Sequence, residues 1–255
     1  MTKIIFFDID GTLVKLGTTQ MSEKTKYALQ KCKENGIKIF IATGRPYMWV
    51  PKFDIEFDGI VSFNGQYCID TNGLIYKNNI DPEDVLQCKR NCDDMNIPLA
   101  IATKDKMCAN YSQETLDYYF TFASQVLEID ENYDETIKQP VYQMMAAIDA
   151  KEDEKLLKGC KSIQITRWWD HACDIIPVNG GKEIGIQQVL NHYGLKKEEA
   201  MAFGDGGNDA TMISYVGTGI AMGNSKQEVK EIADYITSTV EEDGVYDALK
   251  HFQLI

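Results

Sequence analysis

The stretch "FFDIDGTLV", residues 6–14, decides how the chain is read. An apolar run, Ile4-Ile5-Phe6-Phe7, ends abruptly at Asp8, and a second carboxylate, Asp10, follows before Gly11 and Thr12 turn the chain. An unbroken apolar run suits a strand buried on both faces, as in a parallel sheet covered by helices. Two carboxylates at its tip concentrate negative charge that the fold must tolerate and is expected to use.

The flanking pattern extends that strand into a sheet. Residues 3–9 read as a strand, Ser22 as the cap of a helix stopping near Asn35 and Gly36, residues 37–42 as a second strand and 59–63 as a third. Toward the other end, residues 182–193 read as a helix, 200–203 as a strand, 209–216 as a helix and 219–222 as a strand, with Ser225 capping the next helix. Asn72-Gly73 marks a hairpin over residues 67–76, and Asp81-Pro82 opens a helix. From there the pattern changes to helices over 84–96, 113–125 and 152–159, with separated strands near Leu99, Tyr142, Ile163 and Cys173. The expected fold is therefore α/β: a Rossmann-like parallel-sheet core with helices on both faces, from residues 1–80 and 181–255, plus an inserted α/β cap of α+β pattern from residues 81–180. The acidic segment 128–135 reads as a solvated loop.

Composition narrows the function. A net charge of -13 over 255 residues argues against nucleic acid and against an anionic membrane as partners, and leaves an anionic substrate only where the site is locally cationic. The first apolar run is too short for a signal-peptide core or a membrane span, so a cytoplasmic protein is expected. Seven cysteines without a Cys-x-x-Cys pair fit reduced thiols. Cys88 and Cys92, four apart on an expected helix, are the one thiol pair with metal-ligand spacing, and the isolated His171, His192 and His251 do not suggest zinc. Oligomeric state is not legible.

In open parallel sheets ligands sit beyond the carboxyl ends of the strands. The polar residues there are Asp8 and Asp10, Thr43-Gly44-Arg45, Asn64-Gly65 and Gly204-Asp205-Gly206-Gly207-Asn208-Asp209, with Lys182 opening a helix after Gly180-Gly181. Each piece alone is an ordinary turn or cap. Together, carboxylates from two strand ends with a hydroxyl and one lysine make a self-consistent magnesium and phosphate site, hard oxygens for the ion and positive charge for the phosphoryl group.

"FDIDGTL", "IATGR", Lys182 in "NGGKEIG" and "FGDGGND" resemble, in order, the four motifs of the haloacid dehalogenase-like hydrolase superfamily, with spacing similar to its Cof-type sugar phosphatase branch. The resemblance spans nearly the whole chain, since that branch also inserts a cap between its second and third motifs. It implies that Asp8 is a nucleophile forming an aspartyl phosphate, and that Asp10 is the acid and base for the leaving group and the water. It also implies an Mg²⁺ site from Asp8, the Asp10 carbonyl and Asp205, with Asp209 behind them, and Lys182 supplying positive charge. Thr43, the Gly44 N–H and Asn208 would hold the substrate phosphate. Arg45 reads either as a contact to phosphate or sugar or as the partner of an acidic neighbour, and Asn64 as a substrate contact or a turn residue.

The expected partner is a small phosphorylated metabolite, sugar phosphates first, with pyridoxal phosphate and flavin mononucleotide also open. In the cap, Arg167, Asp170 and His171 are the candidates for reading hydroxyls, and of Trp168 and Trp169 at most one is expected to face a ligand, because neighbours on a strand point opposite ways. Rival readings are a phosphomutase on the same scaffold, a phosphonate hydrolase using Lys104 or Lys106 as a Schiff base, and a silent phosphosugar-binding regulator.

Overall fold

The computed structural model describes residues 1–122 and 124–255. In chain order the first half runs β1 (Ile4–Phe7), α1 (Glu23–Glu34), β2 (Lys38–Ala42), β3 (Gly59–Ser62), β4 (Tyr67–Asp70) and β5 (Gly73–Lys77). Next come α2 (Pro82–Asp94), β6 (Ala100–Ala102), β7 (Met107–Ala109), α3 (Glu114–Thr121), β8 (Glu128–Ile129), α4 (Tyr133–Thr136), β9 (Gln143–Ala146), α5 (Asp153–Leu156), β10 (Ile163–Thr166) and β11 (Cys173–Pro177). The chain closes with α6 (Lys182–Tyr193), β12 (Ala200–Gly204), α7 (Ala210–Tyr215), β13 (Thr218–Ala221), α8 (Gln227–Ile232), β14 (Tyr235–Ile236) and α9 (Gly244–His251).

The first sheet has the order β14-β13-β12-β1-β2-β3-β4-β5. Its strands pair in parallel from β14 through β3, and the β4–β5 hairpin extends the edge antiparallel. β1 is central and buried along its length because each face meets a separate layer. Ile5 and Phe7 pack with Ala28 and Leu29 of α1 and with Val245 and Leu249 of α9. Ile4 and Phe6 pack with Ile186 and Val189 of α6 and with Ile213 of α7. Helices thus cover both faces, and the carboxyl ends of β1, β2, β3 and β12 open on one edge.

The second sheet, order β10-β11-β9-β6-β7-β8, is antiparallel except where β7 meets β8. One face, through Ile101, Met144 and Ile175, packs on α2 and α5. The opposite face, through Ala100, Ala102 and Met145, packs with Leu116, Tyr119 and Phe120 of α3, with Phe63 in the turn after β3 and with Tyr67 of β4. This inserted layer therefore sits over the sheet edge where the carboxylates collect.

Several local expectations need correction. The helix expected over 113–125 runs only Glu114–Thr121, and residue 123 lies outside the described residues. The helix expected over 152–159 is a four-residue α5 preceded by a 3₁₀ turn. The segment 128–135 is not a plain solvated loop: Asp130 is buried, accepting from Thr136 Oγ1 at 2.6 Å and the Asn132 N–H at 3.0 Å and pairing with Lys106 at 2.9 Å. Ser225 does not cap α8; Lys226 holds that position, and the Ser225 hydroxyl donates to the Gly204 carbonyl. Among the described residues no helix is long and apolar enough to cross a membrane.

Candidate active site

β1 and β12 are adjacent and parallel with Phe7 level with Phe203, so Asp8 leaves its strand level with Gly204 and Asp205 follows one residue further on, at the same sheet edge. The 3₁₀ turn Gly207–Asp209 brings Asp209 back beneath both. One carboxylate oxygen from each of Asp8, Asp205 and Asp209 falls within 4.8 Å of the others. Gly11 makes the approach of the first loop possible: its φ is +85°, and a Cβ there would lie 2.2 Å from Asp205 Oδ2. Thr12 Oγ1 then donates to Asp205 Oδ1 at 3.0 Å.

Lys182 opens α6 and reaches into this cluster, donating to Asp8 Oδ1 at 2.7 Å, Asp209 Oδ1 at 2.5 Å and the Ala42 carbonyl at 2.9 Å. It is buried, and burial alone opposes its charge; Asp209 and Asp8 outweigh that and leave its pKa raised. One ammonium does not balance three carboxylates. Asp8 is therefore pushed up to about 7, chiefly by burial and next by the charge of Asp209, against the lowering effect of Lys182. Asp205 is raised well above the usual carboxylate range, by burial first and then by Asp8 and Asp209. Hard oxygen donors, close together and short of positive charge, suit a divalent cation.

Asp209 is differently employed. Its Oδ2 accepts from the Asp205 and Gly206 N–H groups, each at 2.9 Å, while Oδ1 takes Lys182. It thus shapes the loop that presents Asp205. Asp10 stands apart from the cluster with both oxygens on Arg45, Nε to Oδ2 and Nη2 to Oδ1 at 2.7 Å each. Of the two readings of Arg45, pairing with an acidic neighbour is the one seen here.

The remaining sequence candidates converge from β2, β3 and β12. Thr43 is buried and its Oγ1 accepts from the Arg45 N–H at 3.1 Å. A Cβ at Gly44 would come within 3.3 Å of the side chains of Asn64 and Asn208, so glycine leaves that corner open. Asn64, in left-handed conformation at φ 51°, accepts from Asn208 Nδ2 at 3.0 Å. Its own Nδ2 donates to Asp174 Oδ2 at 2.8 Å and Gln143 Oε1 at 3.1 Å, both on the inserted sheet. Gln143 Nε2 donates on to the Gly44 carbonyl at 3.2 Å.

Asp174, Tyr119 and Gln143 were not singled out by sequence. Asp174 is buried and held up at about 6, mainly by burial, although hydrogen bonds from Asn64 and Tyr119 pull the other way. The signal was its place in "CDIIP": on β11, Cys173 and Ile175 face one apolar core, so the lone acid between them must face the other side. Arg167, Asp170 and His171 do not border the cavity as expected. Arg167 spends its guanidinium on the Ile148 and Ala172 carbonyls and on Asp153, Asp170 pairs with Lys226, and His171 pairs with Asp149. Trp168 and Trp169 both border it, because β10 ends at Thr166 and strand alternation no longer applies to them. Lys106, proposed for Schiff-base chemistry, is tied to Asp130 and Glu128, which raise its pKa and keep it protonated. Cys88 and Cys92 sit in the apolar core of the inserted layer.

Between the two sheets lies a cavity of about 350 Å³ with Asp8, Asp10, Asp205 and Asp209 at its floor and Tyr119, Trp168 and Trp169 in its wall. The model of the haloacid dehalogenase-like hydrolase family matches residues 5–249. YkrA of Bacillus subtilis (strain 168) is 32% identical over 258 residues, covering 100% of this chain and 99% of its own. YitU of the same organism, named a 5-amino-6-(5-phospho-D-ribitylamino)uracil phosphatase, is 32% identical over 270 residues, covering 98% of this chain and 97% of its own. The solved structure of the HAD subclass IIB sugar phosphatase BT4131 superposes with a TM-score of 0.89 at 33% identity, each chain covered in full. With the fold, the strand-end carboxylates and these likenesses in agreement, the chain belongs to the haloacid dehalogenase-like hydrolases, in their Cof-type branch, and is a phosphoric monoester hydrolase.

Proposed function

We propose that the chain is an Mg²⁺-dependent phosphatase that hydrolyses small phosphate monoesters through an aspartyl phosphate on Asp8. The observation that carries this reading is the meeting of Asp8, Asp205 and Asp209 within 4.8 Å, with Lys182 bonded to Asp8. Asp8 and Asp205 would hold the ion with the Asp10 carbonyl, and Asp209 would support Asp205 from behind. When bound, the ion neutralises charge on the carboxylates and on the incoming dianion.

In the first step a carboxylate oxygen of Asp8 bonds to phosphorus, the bond from phosphorus to the leaving oxygen breaks, and Asp10 gives that oxygen a proton. In the second, Asp10 takes a proton from water as the water oxygen attacks phosphorus, releasing inorganic phosphate and restoring Asp8. Both oxygens of Asp10 are held by Arg45 in this structure, which orients the carboxyl while each oxygen keeps a second lone pair for the proton; a ligand that competes for Arg45 would free the carboxyl to move. The substrate phosphate, itself a partner for a guanidinium, is the natural competitor. Thr43, Gly44 and Asn208 are the proposed cradle for its remaining oxygens.

Residues 81–180 are proposed to act as a cap hinged at residues 79–82 and 177–180. The hydrogen bonds from Asn64 to Gln143 and Asp174 favour a closed position, in which bulk water is excluded. Sugar phosphates are the substrate class that the resemblance and the name of BT4131 support. A cytoplasmic setting is proposed from seven free, mostly buried cysteines. The experiment is phosphate release from a panel of monoesters with and without Mg²⁺, for the wild-type protein and Asp8→Asn. Mg²⁺-dependent release that vanishes in Asp8→Asn supports the reading; equal release by the variant contradicts it. A phosphomutase would return an isomerised ester in place of free phosphate.

A further inference from the structure

A chain of hydrogen bonds runs from the inserted layer to the phosphate corner of the site, and its direction is set by groups that have no choice of role. Trp168 Nε1 can only donate, and it gives its hydrogen to the Tyr119 hydroxyl at 2.7 Å. That hydroxyl in turn donates to Asp174 Oδ1 at 3.0 Å. Asp174 Oδ2 accepts from Asn64 Nδ2 at 2.8 Å, and the second hydrogen of the same amide goes to Gln143 Oε1 at 3.1 Å. Gln143 cannot turn over, because its Nε2 faces the Gly44 carbonyl at 3.2 Å and a carbonyl only accepts. With both hydrogens of Asn64 committed to the inserted sheet, its Oδ1 must accept, and Asn208 meets it with Nδ2 at 3.0 Å. Asn64, Gln143 and Asp174 are at most 2% exposed, so solvent does not compete for these bonds.

The last link decides what the phosphate meets. Asn208 borders the cavity, and its Nδ2 stands at the corner that Gly44 leaves open. One N–H of that amide is on Asn64, and the other remains for an anion. Were the amide turned over, its carbonyl oxygen would face the same corner and repel a phosphate oxygen. Gln143 acts on a second donor as well. The Gly44 carbonyl that it holds shares a peptide with the Arg45 N–H, which donates to Thr43 Oγ1 at 3.1 Å, so that hydroxyl accepts there and retains its proton as a donor.

Resting on the phosphatase reading, we infer that Asp174 and Gln143 of the inserted sheet are positioning residues for phosphoryl transfer: acting through Asn64, they fix which end of the Asn208 amide faces the substrate phosphate. Their effect falls on the group that every substrate shares. Asp174 also borders the cavity, so direct contact with a leaving group is the alternative to be separated.

The test uses esters with unlike leaving groups, glucose 6-phosphate, glycerol 3-phosphate and 4-nitrophenyl phosphate, under Mg²⁺. Asp174→Leu and Gln143→Met are each expected to lower kcat/KM by about tenfold or more, by the same factor for every ester, as for a misdirected donor at a phosphoryl group. Asp174→Asn keeps an oxygen for Asn64 and should restore most of the activity, a rescue that mere loss of packing would not produce. In an Asn208→Ala background, Asp174→Leu should cost no more than about twofold further. Calorimetric titration of inorganic phosphate with Mg²⁺ reads the corner without turnover, and its Kd should rise about tenfold in Asp174→Leu and stay near the wild-type value in Asp174→Asn. A loss confined to one leaving group, or one as large without Asn208 as with it, overturns the inference and leaves the phosphatase reading standing. Phosphate binding unchanged in both Asp174→Leu and Gln143→Met also overturns it. Weaker phosphate binding in these variants, with no ester hydrolysed by the wild type, overturns the phosphatase reading and supports the positioning role. Should Asp174→Leu not fold, Gln143→Met carries the same comparisons.

Discussion

Arg45 grips Asp10 with two parallel hydrogen bonds, each 2.7 Å, across the gap between β2 and the loop after β1. The pair joins the proposed proton carrier to a residue that adjoins the proposed phosphate cradle, so filling the cradle and freeing Asp10 become linked events. Lysine keeps the charge but has no fork to hold both oxygens. Arg45→Lys is therefore expected to lower kcat/KM, by up to about 100-fold if Asp10 shifts by an ångström. Steady-state kinetics checks this, and unchanged kcat/KM would mean the fork does not position Asp10.

Lys182 is buried between Asp8 and Asp209. Lys182→Met leaves two buried carboxylates without their counter-charge, at a cost of about 3 kcal/mol, the low end for a broken buried pair, because Asp8 is placed to take up a proton. The urea midpoint should fall accordingly, and phosphate release should be lost. A midpoint equal to that of the wild type would show that the ammonium is not what holds the cluster together.

Gly11 lies against Asp205 with φ at +85°. Alanine there pays for the left-handed backbone, about 1–2 kcal/mol, and its Cβ must push Asp205 aside. The backbone cost lowers stability, whereas displacement of the Asp205 carboxylate is expected to raise the Mg²⁺ concentration for half-maximal activity, by roughly tenfold if it removes about 1.4 kcal/mol of ion binding. Magnesium titration of Gly11→Ala against the wild type measures it; coincident curves would dissociate Asp205 from the ion.

The burial of Asp174 gives the fold an expected pH dependence whose sign follows from its raised carboxyl. Its carboxyl is raised from 3.8 to about 6 in the folded protein, chiefly by burial. The folded state thus holds its proton where the unfolded chain has lost it. The resulting stabilisation is complete below about pH 4 and is lost as pH rises through about 6. Two units correspond to stability on the order of 3 kcal/mol. Urea unfolding of the wild type and Asp174→Asn from pH 4 to 7.5 should give a difference that changes across this window in that direction, and a difference constant with pH would assign Asp174 no such role.

The parallel core was legible because each face of β1 is apolar and its ends carry turn residues; α6 occupies the span its periodicity marked, residues 182–193. The strand tips were legible for the same reason, since topology alone brings Asp8 beside Asp205. The wall of the cavity was not. Trp168 and Trp169 can both border the cavity because β10 stops at Thr166, where its pairing with β11 ends. Tyr119 looks like any helix residue until Asp174 and Trp168 meet its hydroxyl from 55 and 49 residues away. The burial of Asp130 likewise depends on Lys106 arriving from the connection between β6 and β7. Local pattern records periodicity and turns, whereas polar contacts between distant segments arise only once the sheets assemble.

The most direct test of covalent chemistry at Asp8 is acid-quenched turnover of a phosphate monoester under Mg²⁺, followed by mass analysis of the peptide containing residue 8. The expected result is the added mass of one phosphoryl group on Asp8 in the wild type and none in Asp8→Asn. Sustained phosphate release by the variant, or a phosphoryl group on any other residue, would contradict the mechanism.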